Sequence, residues 1–427
     1  MDEVTNTLRE ILPEHKKTML EKSNVFCMAP WIHMHIWPNG NVMPCCVTNA
    51  NIKDKLGNTH QNTLKEIWNS DNMKQLRLDM LNDKPNSYCT NCYKVEQLNT
   101  SSLRNSLNDQ YGNNHFDKVL KTQDNGSHDE AKFVYMDIRF SNICNLKCRT
   151  CSPTWSSLWY DDYKKAHGEV PDVIANKKYM KITDKDKILE EVVSLIDVTE
   201  GVYWAGGEPF ITEEHWHIMD HWVKTDRAKD ISINYTTNFS QLNYKNRDLF
   251  DLWKHFKNVS IHASLDGSWE RGEYIRKGLN WEKVIANRKL MLEHCPDIQF
   301  EITPTVSILN VLNLADFHRE WLEQGLLSEP NLFRFNWLFY PEEFCIQNLP
   351  YEYKNLVVDK WKEHKQWLIS NYDPNQLQNI LSWIDGLVEY IHEDYNENNK
   401  LIETLEKYDV IRNESWRTIF PELDKVL

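Results

Sequence analysis

Three cysteines, Cys144, Cys148 and Cys151, stand at a C-x3-C-x2-C spacing directly after an alternating, strand-like run. Thiols this close in one loop can turn to a single metal centre, and thiolates suit zinc or an iron-sulfur cluster. Three ligands leave a four-iron cluster one ligand short. The remaining iron then keeps an open position for a further ligand, as a catalytic zinc does. A structural zinc knuckle is the competing reading of the same spacing.

A second thiol set precedes it. Cys27, Cys45, Cys89 and Cys92 supply four donors, as a closed tetrathiolate site of zinc or iron-sulfur type requires, and Cys46 is a fifth thiol able to replace Cys45. The strand-like run Trp31 to Trp37, the turn Pro38-Asn39-Gly40-Asn41 and a short strand ending at Cys45 read as a hairpin, because Asn-Gly tolerates positive φ. That hairpin returns Cys45 towards Cys27. Thr63 and Glu66 have capping-box spacing ahead of Leu64, Ile67 and Trp68, and Met73, Leu76 and Met80 predict a second helix that delivers the chain to Cys89. His33 and His35 alternate on the hairpin and so share a face. They are either a metal-ligand pair or packed histidines, the commoner case.

Beyond residue 131, strand-like runs recur at Lys132 to Phe140, Gly201 to Ala205, Ile231 to Thr237, Val259 to Leu265, Ile298 to Val306 and Phe333 to Phe339, with helical stretches between them. Strands alternating with helices imply parallel pairing through right-handed crossovers. The fold class expected is therefore α/β, a partial (β/α)6 barrel of the TIM kind, with its site at the C-terminal strand ends. The divisions read from the sequence are a helix or tail at 1–23, the hairpin-plus-helix cysteine domain at 24–96, a linker at 97–131, rich in Asn, Asp, Ser and Gly, the barrel at 132–345 and a helical region at 346–427. Gly206, Gly207, Glu208 and Pro209 follow the second run, where two glycines let backbone approach a ligand closely and the neighbouring carbonyls and carboxylate can accept from an amino group. Asn238 ends the third run. Ser264 and Asp266 end the fourth, and Arg276 follows with a planar fork suited to a carboxylate. Asp137 and Arg139 share one face of the first run; with Tyr203 and His262 they are the side chains that could point into the lumen as base or hydrogen-bond partner for substrate, a buried ion pair being the plainer reading of the first two.

The bulk properties exclude several classes. A net charge of -14 and a pI near 5.6 argue against a broad nucleic-acid or anionic-membrane footprint. The polar start of the chain and the lack of any long apolar run predict a soluble, cytoplasmic protein without a membrane partner. Ten cysteines, eight of them before residue 152, then read as ligands or reduced thiols, not a disulfide framework.

These motifs resemble the radical SAM enzymes, whose signature is C-x3-C-x2-C. The resemblance implies that Cys144, Cys148 and Cys151 hold a [4Fe-4S] cluster with one open iron, which chelates the methionyl group of S-adenosylmethionine; reductive cleavage then gives a 5'-deoxyadenosyl radical that abstracts hydrogen from substrate. Thr150 stands where relatives usually carry an aromatic residue beside adenine. Gly206 to Pro209 is similar to the family's GGEP motif for the methionyl amine, Ser264 to Gly267 to its S-L-D-G, and Arg276 stands where relatives place an arginine for the cofactor carboxylate. Thr237-Asn238 matches a Thr-Asn-Gly whose glycine is here Phe239. The C-x12-G-x4-C spacing from Cys27 through Gly40 to Cys45, with Gly57-Asn58-Thr59 and the stretch Leu64 to Ser70, resembles the SPASM and twitch domains, and the single following pair Cys89 and Cys92 is similar to the one-cluster twitch form. Here that module precedes the catalytic motif instead of following it. The resemblance covers residues 27 to about 345 and implies a second, auxiliary [4Fe-4S] cluster, an external one-electron donor such as a flavodoxin or ferredoxin, and oxidation or cross-linking of a peptide or protein. Dehydrogenation of a small polar molecule is the alternative, and a zinc-bound interaction protein the non-enzyme alternative.

Overall fold

The structure, a computed structural model, describes residue 16 and residues 18–48, 52–97, 101–170, 177–182, 185–393 and 400–427. Most of the expected N-terminal helix or tail therefore lies outside the described residues. The chain divides into two compact units, residues 1–140 with 181–203, and residues 141–180 with 204–427.

In the first unit, strands β1 (His35–Ile36), β2 (Asn41–Met43) and β3 (Gly57–Asn58) form an antiparallel meander, with His35 opposite Met43 and Val42 opposite Gly57. Gly40 turns the hairpin at φ 83°, a conformation that glycine adopts without strain. The strand expected from Trp31 is shorter than the sequence reading: Ala29–Ile32 is a helical turn, because Pro30 near its start has the φ a helix requires. β4 (Tyr135–Ile138) pairs in parallel with β1, His35 opposite Asp137, and also with β5 (Gly201–Trp204), Tyr135 opposite Gly201. This pairing ties the first barrel strand to the cysteine hairpin, so the units do not divide where the composition changes, near residue 131.

The stretch 97–131 is not an unstructured linker. Leu103–Leu120 is a helix, started by a capping box between Ser102 and Asn105. Its buried Leu107, Tyr111 and Val119 stand four and eight residues apart on one face, a periodicity diluted in the sequence by four asparagines and a glycine. One of those asparagines does structural work: Asn108 accepts from the Met28 amide and donates to the Phe26 carbonyl, both at 2.9 Å, fixing the backbone on either side of Cys27.

In the second unit β6 (Ser232–Thr237), β7 (Asn258–Ala263) and β8 (Gln299–Ile302) are parallel neighbours, Ile233 opposite Val259 and Phe300 opposite Ile261. Ile302 bridges in parallel to Phe333, and β9 (Thr305–Val306) pairs with β10 (Asn336–Trp337). The helices Glu213–Lys224, Trp281–His294 and Leu314–Glu323 lie between these strands in sequence. All six strand runs expected from the sequence contain strands, and the fold class is the α/β one expected of a partial (β/α)6 barrel. In the core Phe317 meets Trp281 and Phe333 edge-on, Trp281 is tilted against Trp321, and Trp321 stacks on Phe300. Residues beyond 350 are helical: Tyr351–Asn371, Gln378–Tyr390, Leu401–Arg412 and two single turns, Trp416–Ile419 and Pro421–Asp424. Among the described residues, no helix is long and apolar enough to cross a membrane.

Candidate functional site

The loop carrying Cys144, Cys148 and Cys151 is irregular, and its shape comes from bonds to what surrounds it. The Lys147 and Arg149 amides donate to the Lys277 and Ile275 carbonyls at 3.0 and 2.7 Å, the Ser156 hydroxyl donates to the Leu146 carbonyl at 2.6 Å, and the Trp159 indole donates to the Cys148 carbonyl at 2.8 Å. Asn142 holds both ends: its side chain donates to Pro153 and Lys178 carbonyls and accepts from the Met180 amide. The three half-buried thiols lie close enough to perturb one another. Burial, then Cys148, pushes Cys151 up to about 12, so metal binding here must displace protons.

Gly206 and Gly207 are glycines for two different reasons. Gly206 has φ 116°. A Cβ on Gly207 would lie 2.0 Å from the Ile143 carbonyl oxygen, one residue before Cys144, so only glycine permits the approach. The Glu208 amide donates to that same carbonyl at 2.8 Å. The Glu208 carboxylate is turned inward, accepting from Thr237 Oγ1 at 2.7 Å, the Asn238 amide at 2.8 Å and the Phe210 amide at 3.3 Å. It braces the end of β6 against the glycine turn. Burial outweighs those three hydrogen bonds and raises its pKa to about 7. Pro209 is buried and opens the turn that follows.

Asn238 reaches the cysteine loop by donating to Asn145 Oδ1 at 2.9 Å, while Asn145 donates to Ser240 Oγ at 2.8 Å. Phe239 takes φ 55°, the left-handed conformation that explains glycine at this position in similar proteins. It is held there by edge-on packing on Phe300 and by Asn287, which donates to its carbonyl at 2.8 Å. Ser264 is half-buried beyond β7, its amide donating to the Thr237 carbonyl. Asp266 is fully buried and takes the fork of Arg276, Nη2 to Oδ1 and Nε to Oδ2, both at 2.9 Å. The guanidinium expected to be free for a carboxylate is thus already paired, and Nη1, 3.7 Å from Cys148 Sγ, is the part turned to the cysteines. Burial opposes the Arg276 charge, but Asp266 more than offsets it.

In the first unit, Cys27, Cys45, Cys89 and Cys92 line one pocket together with Pro30 and Pro44. Cys45 and not Cys46 joins the set. Burial, then the charge of Asp137, raises the Cys46 thiol well above its ordinary pKa. Asp137 is fully buried, 3.0 Å from Arg139 Nη2 and 3.3 Å from His35 Nδ1, and Arg139 lies over the Tyr203 ring at 4.8 Å. Three of the four side chains proposed to meet substrate therefore gather in one place. His262, in the second unit, pairs with Glu301 at 3.3 Å on the neighbouring strand.

Residues 138–318 match the model of the radical SAM superfamily, and residues 27–93 match SPASM, an iron-sulfur cluster-binding domain. The chain thus carries a stretch that matches the radical SAM superfamily, with the match to the iron-sulfur cluster-binding domain on its N-terminal side. Solved structures to which the chain is similar include "Native anSMEcpe with bound AdoMet and Cp18Cys peptide", at 17% identity over 55% of this chain and 60% of that one, TM-score 0.36. "Structure of TYW1 with a lysine-pyruvate adduct bound" matches at 13% identity over 56% of this chain and 72% of that one, TM-score 0.28. The chain thus spans about three fifths of the first of these.

The two domain matches imply a [4Fe-4S] cluster, S-adenosylmethionine and auxiliary iron-sulfur binding, and the donors fit. Three thiols in one braced loop leave an iron open, and four thiols around one pocket close a site.

Proposed function

We propose that this chain reductively cleaves S-adenosylmethionine and takes a hydrogen atom from a peptide or protein, leaving it oxidised or cross-linked. When bound, the cluster and S-adenosylmethionine supply the 5'-deoxyadenosyl radical that performs the abstraction. The observation that carries the reading is the joint bracing of the Cys144, Cys148 and Cys151 loop by the glycine turn at 206–207, by Asn238 through Asn145, and by the segment Ile275 to Lys277 around Arg276. Thiols held by so many independent bonds keep their relative positions when the charge of the group they hold changes. Gly207 leaves backbone, not a side chain, facing the loop, and Arg276 places a fixed positive charge beside Cys148. Support for a peptide or protein substrate comes from the iron-sulfur cluster-binding domain, a module that many peptide-modifying relatives carry.

The test is anaerobic reconstitution with iron and sulfide, followed by a 5'-deoxyadenosine assay with a reductant. About eight irons per chain with slow cofactor cleavage is expected. Adding cell extract separated by size then decides the substrate: stimulation by the peptide and protein fraction supports the reading, and stimulation by the small-molecule fraction alone transfers it to dehydrogenation of a small polar compound. Zinc in place of iron, with no cleavage, overturns it.

A further inference from the structure

We propose that Arg104 is a fixed positive charge that tunes the auxiliary iron-sulfur cluster, raising its reduction potential so that it takes up an electron more readily. Arg104 lines the same pocket as Cys27, Cys45, Cys89 and Cys92. Among the described residues lining that pocket, it alone is of a charged type; the cysteines' other neighbours are apolar or aromatic.

Nothing local favours a cation here. Arg104 lies in the first turn of the helix Leu103–Leu120, where the backbone dipole already presents its positive end and an anion is the preferred side chain. It is also 5% exposed, and taking a guanidinium out of water is costly. Partners at every nitrogen offset both costs. Nε and Nη2 donate to Glu96 Oε1 and Oε2 at 2.9 and 2.6 Å, and Nη1 donates to the Ser23 and Phe26 carbonyls at 3.1 and 2.9 Å. Asn108 donates to the same Phe26 carbonyl at 2.9 Å, and Cys27 is the next residue. A guanidinium held in this way keeps its position when the charge of the group beside it changes.

The two halves of the ion pair act unequally on the thiols. Arg104 lines the cysteine pocket, whereas Glu96 lines a separate cavity with Asn24, Pro85 and Tyr93. The pair therefore presents its positive side to the four cysteines, and the start of the helix adds the same sign. A cluster on four thiolates becomes more negative by one charge on reduction, so a nearby cation stabilises the reduced form more than the oxidised one. Salt screens a buried charge of this kind only weakly. The inference rests on the four-cysteine site holding an iron-sulfur cluster and is independent of which substrate the chain oxidises.

The experiment is a mediated redox titration of the anaerobically reconstituted full-length protein, read by low-temperature electron paramagnetic resonance, with iron counted on each sample. The signal that persists when Cys144→Ala, Cys148→Ala and Cys151→Ala are combined belongs to the four-cysteine site. Arg104→Gln should make that cluster about tenfold harder to reduce at a given potential, a midpoint lower by about 59 mV. Glu96→Gln leaves the guanidinium without its counter-charge and should move the midpoint the other way, while Arg104→Lys should restore most of the wild-type value. A loosened pocket would move both midpoints alike, so opposite shifts separate charge from packing. An unchanged midpoint in Arg104→Gln, or shifts of one sign in Arg104→Gln and Glu96→Gln, overturns the proposal. Should Arg104→Gln fail to fold, Glu96→Gln decides: a raised midpoint supports the proposal, and an unchanged or lowered one overturns it. About four irons per chain in wild type, with no signal from the four-cysteine site, overturns the cluster assignment itself, an outcome that the iron count tells apart from a missing shift.

Discussion

Arg149, two residues before Cys151, places its Nη2 2.6 Å from Asp409 Oδ1 and 2.7 Å from Glu414 Oε2, with its guanidinium 4.0 Å above the Tyr274 ring. The Tyr274 hydroxyl donates to the same Asp409 oxygen at 2.7 Å. Nearby, Lys147 and Arg412 share Asp162 at 2.7 and 2.8 Å, and Lys277 meets Glu414 at 2.9 Å. The cysteine loop is thus clamped from outside by the C-terminal helix Leu401–Arg412 and the turn after it. Removing one partner from a buried pair typically costs about 3–5 kcal/mol because the other charge stays buried. Asp409→Asn should therefore lower thermal stability and speed iron loss to a chelator by several-fold, with only the half of the iron bound by the cysteine loop becoming labile. Uniform loss of all iron, or none, would contradict the clamp.

Cys45 and Cys46 are adjacent yet face different surroundings, which gives a clean pair of variants. Cys45 lines the tetrathiol pocket, and Cys46 lies near the charge of Asp137. Cys45→Ser should reduce reconstituted iron from about eight to about four per chain while leaving S-adenosylmethionine cleavage measurable, and Cys46→Ser should leave iron at about eight. The reverse pattern in iron analysis would show that Cys46 is the ligand.

Gly207→Ala tests the close approach of the glycine turn to the cysteine loop. The added methyl would meet the Ile143 carbonyl at 2.0 Å, and a backbone atom cannot swing away as a side chain can. Cofactor cleavage should fall at least a hundredfold, and the cluster bound by the loop should form incompletely, as read by the low-temperature electron paramagnetic resonance of the reduced protein. Gly386→Ala, where no atom lies within 4 Å of the added carbon, should change neither reading and serves as the control.

What the sequence made legible was whatever is coded over short spacings. The two cysteine sets, the GGEP turn, the strand-end Asp266 and the Thr63 capping box all sit where their spacing placed them, and the box is formed by both of its hydrogen bonds. What it concealed depends on residues far apart or on conformation. Arg149 and Asp409 are 260 positions apart, and an arginine inside a cysteine motif carries no mark of its partner. Arg276 was legible as a cation near the cluster, but its capture by Asp266 depends on where the turn after β7 ends. The helix Leu103–Leu120 was hidden by asparagines that act as internal caps and backbone anchors, roles that composition alone reads as loop. The left-handed Phe239 was marked only by a missing glycine.

Glu208 gives the pH prediction. Burial raises its pKa from an ordinary 4.5 to about 7, so the unfolded chain loses this proton at lower pH than the folded chain does. The sign follows: the stability tied to this group is fully present below about pH 4.5, declines as pH rises, and is gone above about pH 7, a loss of about 3 kcal/mol. Glu208→Gln cannot ionise. In the protein free of cluster and cofactor, any stability lead of wild type over this variant should therefore shrink by about 2.5 kcal/mol between pH 5 and pH 8. Denaturant unfolding of both proteins across that range measures the difference directly. A lead that stays constant would mean that the hydrogen bonds from Thr237, Asn238 and Phe210 keep Glu208 ionised throughout, making it a fixed negative charge behind the glycine turn instead of a neutral brace.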